Sequence, residues 1–147
     1  MQEDSTTGLN NILGDVTPDD VDEYIDKYIA PTKNTNTLTE YLISRKISTG
    51  TLYQNCSEYL SKSYVYDIVN NKKKNPSRDV VLILCIAAGL DRKLTRRTLE
   101  NFGHRDLYSK DKRDVIIAAY INAANYNLGE INEKLKSTGL SPLTGKE

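Results

Sequence analysis

Nine consecutive apolar residues, VVLILCIAA over Val80–Ala88, constrain this chain more than any other stretch in it. A run of this kind has no face to give to water, so the rest of the molecule must cover it on all sides. Four of the nine are β-branched, and apolar periodicity alone fits a buried strand as well as a buried helix. The flanks decide for a helix. Ser77 is a good N-cap, Asp79 falls in the first turn, and Gly89 stands where a left-handed stop belongs. No other segment offers itself as a partner strand.

The same pattern returns once. SRDVVLILCIAA…LENFGHRDL aligns with KRDVIIAAYINAA…LKSTGLSPL, with Arg78-Asp79 matching Arg113-Asp114 at an offset of 35 residues. Leu99, Gly103 and Leu107 match Leu135, Gly139 and Leu143 at 36. Each copy reads as an apolar helix followed by a polar one that closes at glycine. Two copies are too few for a solenoid, so they must pack against the remainder of one domain.

Upstream, TPDDVDEYIDKYIAP carries Val21, Tyr24, Ile25, Tyr28 and Ile29 at helical spacing, with Thr17 as cap, Pro18 in the first turn and Pro31 as stop. Leu38, Tyr41 and Leu42 mark a short helix, and Leu52, Tyr53 and Cys56 a second. A third begins at the cap Ser61, with Tyr64, Val65, Ile68 and Val69 inward and Lys62, Ser63, Tyr66, Asp67 and Asn70 outward. Asn71 can end it, because asparagine tolerates the left-handed conformation. Asn127 and Glu130 form a capping-box-like pair before the last helix. The expectation is an all-α chain of about eight helices.

At 147 residues the chain is long enough for one domain with a core that needs no disulfide. Cys56 and Cys85 lack CxxC spacing and are expected reduced and packed. No apolar run approaches the roughly 20 residues that cross a bilayer, and MQEDSTTG lacks the features of a signal peptide, so a cytoplasmic protein without membrane contact is expected. Ten tyrosines stand against one phenylalanine and no tryptophan. Such rings suit both cores and contact surfaces.

The zero net charge conceals an asymmetry. Residues 1–31 hold eight acids and one lysine, a net of −7, whereas residues 61–113 hold thirteen Lys/Arg and six Asp/Glu, a net of +7. A basic body suits a polyanion.

Enzymatic parts are scarce. His104 is the one histidine, in the loop FGHRDL, and reads as a loop residue rather than a base. No phosphate-loop, dinucleotide or zinc pattern is present, so no catalytic residue, metal ligand or cofactor is assigned. The acids sit at helix starts, where capping explains them.

The richer stretch is LSKSYVYDIVNNKKKNPSRD, Leu60–Asp79. Two short helices joined by a turn can set the second into the major groove, about 12 Å wide. Lys62, Ser63, Tyr66 and Asn70 are then the base-reading candidates, with Lys62 suited to guanine and Asn70 to adenine. Lys72, Lys73, Lys74 and Arg78 are the phosphate candidates, giving salt-dependent grip without sequence choice. Asp67 opposes close approach to phosphate unless it accepts from cytosine or anchors a neighbour.

These residues resemble the Cro/lambda-repressor-like (XRE-type) helix-turn-helix family. More closely, the chain is similar to a small Firmicutes-type group that pairs an SYxYxIxxGxxxPSRD signature with LYxxxxRDxxI, here SYVYDIVNNKKKNPSRD (Ser63–Asp79) and LYSKDKRDVII (Leu107–Ile117). The resemblance implies an all-α, lambda-repressor-like bundle and sequence-specific binding of double-stranded DNA by a transcriptional regulator. It divides the chain into an acidic N-terminal helix and linker (1–36), a helix-turn-helix domain (37–107) and a C-terminal helical pair (108–147). Two departures stand out: Asn70-Asn71-Lys72 replaces the glycine after the reading helix, and Glu58-Tyr59 occupies the turn. They keep a second reading open, a protein-interaction adaptor with a degenerate helix-turn-helix. A homodimer through the C-terminal helices is also open, although no heptad seam supports it.

Overall fold

Each helix among the described residues starts on a side chain suited to start it. The computed structural model describes residues 17–19, 36–73 and 75–145. Among them are α1 (Thr37–Ser44), α2 (Thr49–Cys56), α3 (Lys62–Val69), α4 (Arg78–Ala88), α5 (Arg92–Asn101), α6 (Lys112–Asn122) and α7 (Leu128–Ser137). No strand occurs among the described residues, so the chain is an all-α bundle. The acidic helix expected over 17–30 lies, apart from its first three residues, outside the described residues.

The N-caps are Asn36, Ser48, Ser61, Ser77, Asp91, Asp111 and Asn127, and each side-chain oxygen accepts the backbone N–H three residues on. Each such cap contributes on the order of 1 kcal/mol. The pair Asn127 and Glu130 closes only half of a capping box. Asn127 accepts from the Glu130 N–H, but the Glu130 carboxylate takes the side-chain amide of Asn125 at 3.0 Å instead of returning to the cap.

Val80–Ala88 is the central helix, with all nine residues buried. α1, α2, α5 and α7 pack around it. Its end follows the glycine signal: Gly89 adopts φ 76°, its N–H bonds the Ile86 carbonyl, and the Leu90 N–H reaches back to Cys85. Both cysteines are free and buried in this core. Thr35–Glu147 makes one compact unit, and no helix among the described residues is long and apolar enough to cross a membrane.

The repeated sequence is a repeated structure. α5 and α7 both end at a left-handed glycine, Gly103 at φ 79° and Gly139 at φ 80°. In both, the next N–H bonds back to the matched leucine, His104 to Leu99 at 2.9 Å and Leu140 to Leu135 at 2.8 Å. After α7 the chain is pinned again, because the buried Asn132 amide donates to the Leu143 carbonyl at 3.1 Å and accepts the Leu143 N–H at 2.7 Å. The tail then runs against the connection between α2 and α3, where a side chain in place of Gly145 would collide with Leu60 and the Tyr59 carbonyl.

Candidate nucleic-acid interface

α3 is short, amphipathic and closed at both ends. Val65, Ile68 and Val69 are buried, and Tyr64 is half-buried. Lys62, Ser63, Asp67 and Asn70 are exposed, as the spacing predicts, whereas Tyr66 is half-buried. Its ring reaches the start of α2, where a β-carbon on Gly50 would lie 3.5 Å from the phenol oxygen. That is an ordinary contact distance, so the Tyr66 hydroxyl lies beside the first turn of α2 and links it to the outer face of α3.

α3 closes on Asn71 rather than on a glycine. Asn71 takes φ 60°, its N–H bonds Ile68 at 3.0 Å, and the Lys72 N–H bonds the Asp67 carbonyl at 2.7 Å. This is the two-bond closure that a left-handed residue permits at a helix end. It turns the chain so that Lys72 and Lys73 are exposed directly after α3. Asp67 thus contributes its backbone carbonyl to the lysine turn, which also receives the Lys73 N–H at 3.2 Å. Lys74 lies outside the described residues.

Among the described residues three tyrosines hold cations. The Lys62 ammonium lies 5.9 Å from the Tyr66 ring centre, the Lys73 ammonium 5.6 Å from that of Tyr64, and the Arg45 guanidinium 5.5 Å from that of Tyr41. Contacts of this kind at exposed sites are worth about 0.5–1 kcal/mol and narrow the range of a flexible side chain. Arg45 and Lys46 were not singled out from sequence. They are exposed immediately before the cap of α2, and the dipeptide Arg45-Lys46 ahead of Ser48-Thr49 was the available signal.

Arg78 is placed differently from the lysines. Its guanidinium donates to both Asp114 oxygens at 3.0 Å, and to the carbonyls of Arg105 at 3.2 Å and Asp106 at 3.1 Å. Four of its five N–H groups are therefore spent inside the protein. Arg113 does the same one repeat later, donating to Asp79 at 2.8 Å and to the carbonyls of Ser141 and Pro142. The positive excess of residues 61–113 accordingly divides in two. Arg78, Arg92, Arg113 and the more exposed Arg105 form ion pairs within the fold, whereas Lys62, Lys72, Lys73, Lys93, Arg96, Arg97, Lys110 and Lys112 are exposed outside those pairs.

His104 is tied into the fold by a 2.7 Å hydrogen bond between Nε2 and the Pro76 carbonyl, which anchors the segment before α4. Asp91 and Asp111 cap helices, and Asp79 and Asp114 pair with arginine. No group of acids, histidine and cysteine among the described residues is arranged to hold a metal ion. No family model, no curated protein and no solved structure matches this chain.

Proposed function

We propose that this protein binds double-stranded DNA with sequence preference, as a transcriptional regulator, by setting the outer face of α3 into the major groove. The observation that carries the reading is the pairing of a doubly capped short helix, exposing Lys62, Ser63 and Asn70, with the exposed lysines that follow its left-handed stop. In this reading Lys62 and Asn70 meet base edges, and Ser63 and the Tyr66 hydroxyl meet a base or phosphate. Lys72, Lys73 and Lys74 neutralise backbone charge. Arg78 shapes the base of the lysine loop rather than gripping phosphate. The XRE-type resemblance supports the same assignment, and the activity is binding, not catalysis.

The test uses fluorescence-monitored duplex titration at several salt concentrations. Changing Lys72, Lys73 and Lys74 together to Ala should weaken binding to every sequence and reduce the salt slope by about 0.9 per lost phosphate contact. Lys62→Ala or Asn70→Ala should instead alter sequence choice, by about 1–3 kcal/mol at one base pair. An unchanged affinity and salt slope in the triple variant would remove the phosphate role.

The adaptor reading has its own observation. Five residues, 57–61, separate α2 from α3, where a compact helix-turn-helix uses a turn of about 3–4. The C-terminal tail also lies against this connection. Failure to retain any duplex at low salt would favour this second reading over the first.

A further inference from the structure

The second helical pair leaves uncovered what the first one buries. At the repeat offset of 35 residues, Val115, Ala118, Ala119 and Asn122 of α6 correspond to Val80, Ile83, Leu84 and Ala87 of α4. All four α4 residues are buried, beneath a shell of α1, α2, α5 and α7. Seven consecutive residues of α6, Val115–Ile121, are apolar or tyrosine, between Arg113-Asp114 and Asn122, and its main packing partners among the described residues are α5 and α7. Val115 is consequently 46% exposed, and Tyr108 beside it 51%. Among the described residues three large apolar side chains are exposed, and two of them fall in this one patch. Exposed apolar side chains gathered in one patch, rather than scattered singly, suit a further surface against them.

Val115 stands between two hollows. One, of about 380 Å³, follows α6 along Val115, Ala118, Ala119 and Asn122 and is walled by Leu107 and Tyr108. From Val115 to Asn122 is about 10 Å of helix axis, two turns. The other, of about 300 Å³, lies between Val115, Ile116 and Thr138, with Lys110 and Lys112 on its rim. Both lysines are exposed. The only carboxylate lining either hollow is Asp114, which is buried and engaged by Arg78 and Arg105.

We propose that this face docks a helix of a partner protein, apolar along one stripe and acidic on its flanks. The helical form follows from α4, whose equivalent positions are covered by helices of this chain. The acidic flanks follow from Lys110 and Lys112 and from the lack of a free carboxylate in the hollows. A second copy of this chain brings the same lysines toward the contact, and like charges across an interface oppose it. The surface is separate from the face of α3, so this proposal stands or falls independently of DNA binding.

The full chain, labelled with ¹⁵N, is titrated with a synthetic peptide of about 16 residues, long enough to hold a helix. The peptide carries leucine at i, i+3, i+4 and i+7 with glutamate on its flanks, and a control peptide carries lysine at each glutamate position. Amide shifts should concentrate in residues 107–119 and fade with added salt. Binding should be at least about tenfold weaker for the lysine peptide. Val115→Asp and Ala119→Glu, both at exposed positions, should abolish the shifts while leaving the remaining spectrum intact. The proposal is overturned by shifts that are absent or lie elsewhere, or by equal affinity for the two peptides. It is also overturned by a concentration-dependent dimer that already covers residues 107–119, which would make a second copy the occupant.

Discussion

Arg78 and Asp114, 36 residues apart, meet in a two-bond fork with both nitrogen–oxygen distances at 3.0 Å. Arg113 and Asp79 form the reciprocal fork at 2.8 Å. The start of α4 therefore gives its arginine to the start of α6 and receives one in return. This exchange locks the two helical pairs together at the base of the lysine loop.

The two forks differ in burial, and their removal should differ in cost. The Asp114 side chain is 1% exposed and that of Asp79 is 24% exposed. Arg78→Ala leaves a carboxylate buried without its main partner and should cost about 3–5 kcal/mol. Arg113→Ala should cost on the order of 2 kcal/mol. Urea unfolding measures both, and Arg78→Met combined with Asp114→Leu should regain most of the first loss. Equal losses at the two arginines would contradict the dependence on burial.

The same fork sets an acid limit. Burial pushes the Asp114 carboxyl up, but the hydrogen bonds from Arg78 and the Tyr108 N–H, with the charges of Arg78 and Arg105, outweigh it and hold the group below its ordinary 3.8. A carboxyl with a lowered folded pKa contributes stability that is fully present above the unfolded value and is lost as pH falls through the folded one. Asp106 adds the same sign, since desolvation is again outweighed by Arg92 and the Leu107 N–H. Urea midpoints should hold steady from neutral pH to about 5 and fall below about 4. Asp114→Asn should be less stable at neutral pH and show a shallower fall.

Asn71 permits a direct check on the end of α3. Its φ of 60° costs an L-residue about 1–2 kcal/mol unless the side chain tolerates that region. Asn71→Gly should be neutral or stabilising by up to about 1 kcal/mol, and Asn71→Val should destabilise by at least about 1 kcal/mol. Thermal unfolding reads the sign. A stabilising valine would place the helix end elsewhere.

The thiols should be inert in the folded protein. Burial pushes Cys56 up to about 11 and Cys85 up to about 12, the latter against the opposing influence of the neighbouring Thr98 and Thr95 side chains. An aromatic disulfide reagent at neutral pH should label neither until denaturant is added, and then both. Rapid labelling of the native chain would contradict the burial of both groups.

What could be read from the sequence was mostly local. The cap at Ser77, the stop at Gly89 and the left-handed Asn71 each follow from the chemistry of one residue and its near neighbours. The helix at Val80–Ala88 followed from those flanks even though its own residues were ambiguous. The role of Arg78 was not legible, because its partners Arg105, Asp106 and Asp114 lie 27 to 36 residues away. Nor was the half-burial of Tyr66, since helical periodicity cannot reveal that its hydroxyl lies beside Gly50 at the start of α2. The open face of α6 was hidden for the opposite reason. Its similarity to α4 suggests complete burial, whereas among the described residues its main packing partners are α5 and α7 alone.

Selection of the full chain against a random duplex library at low salt tests the central claim most directly. The account predicts enrichment of a defined base pattern whose composition changes in Lys62→Ala or Asn70→Ala while the triple lysine variant loses affinity for all sequences. Retention of no duplex by the folded wild-type chain would contradict it.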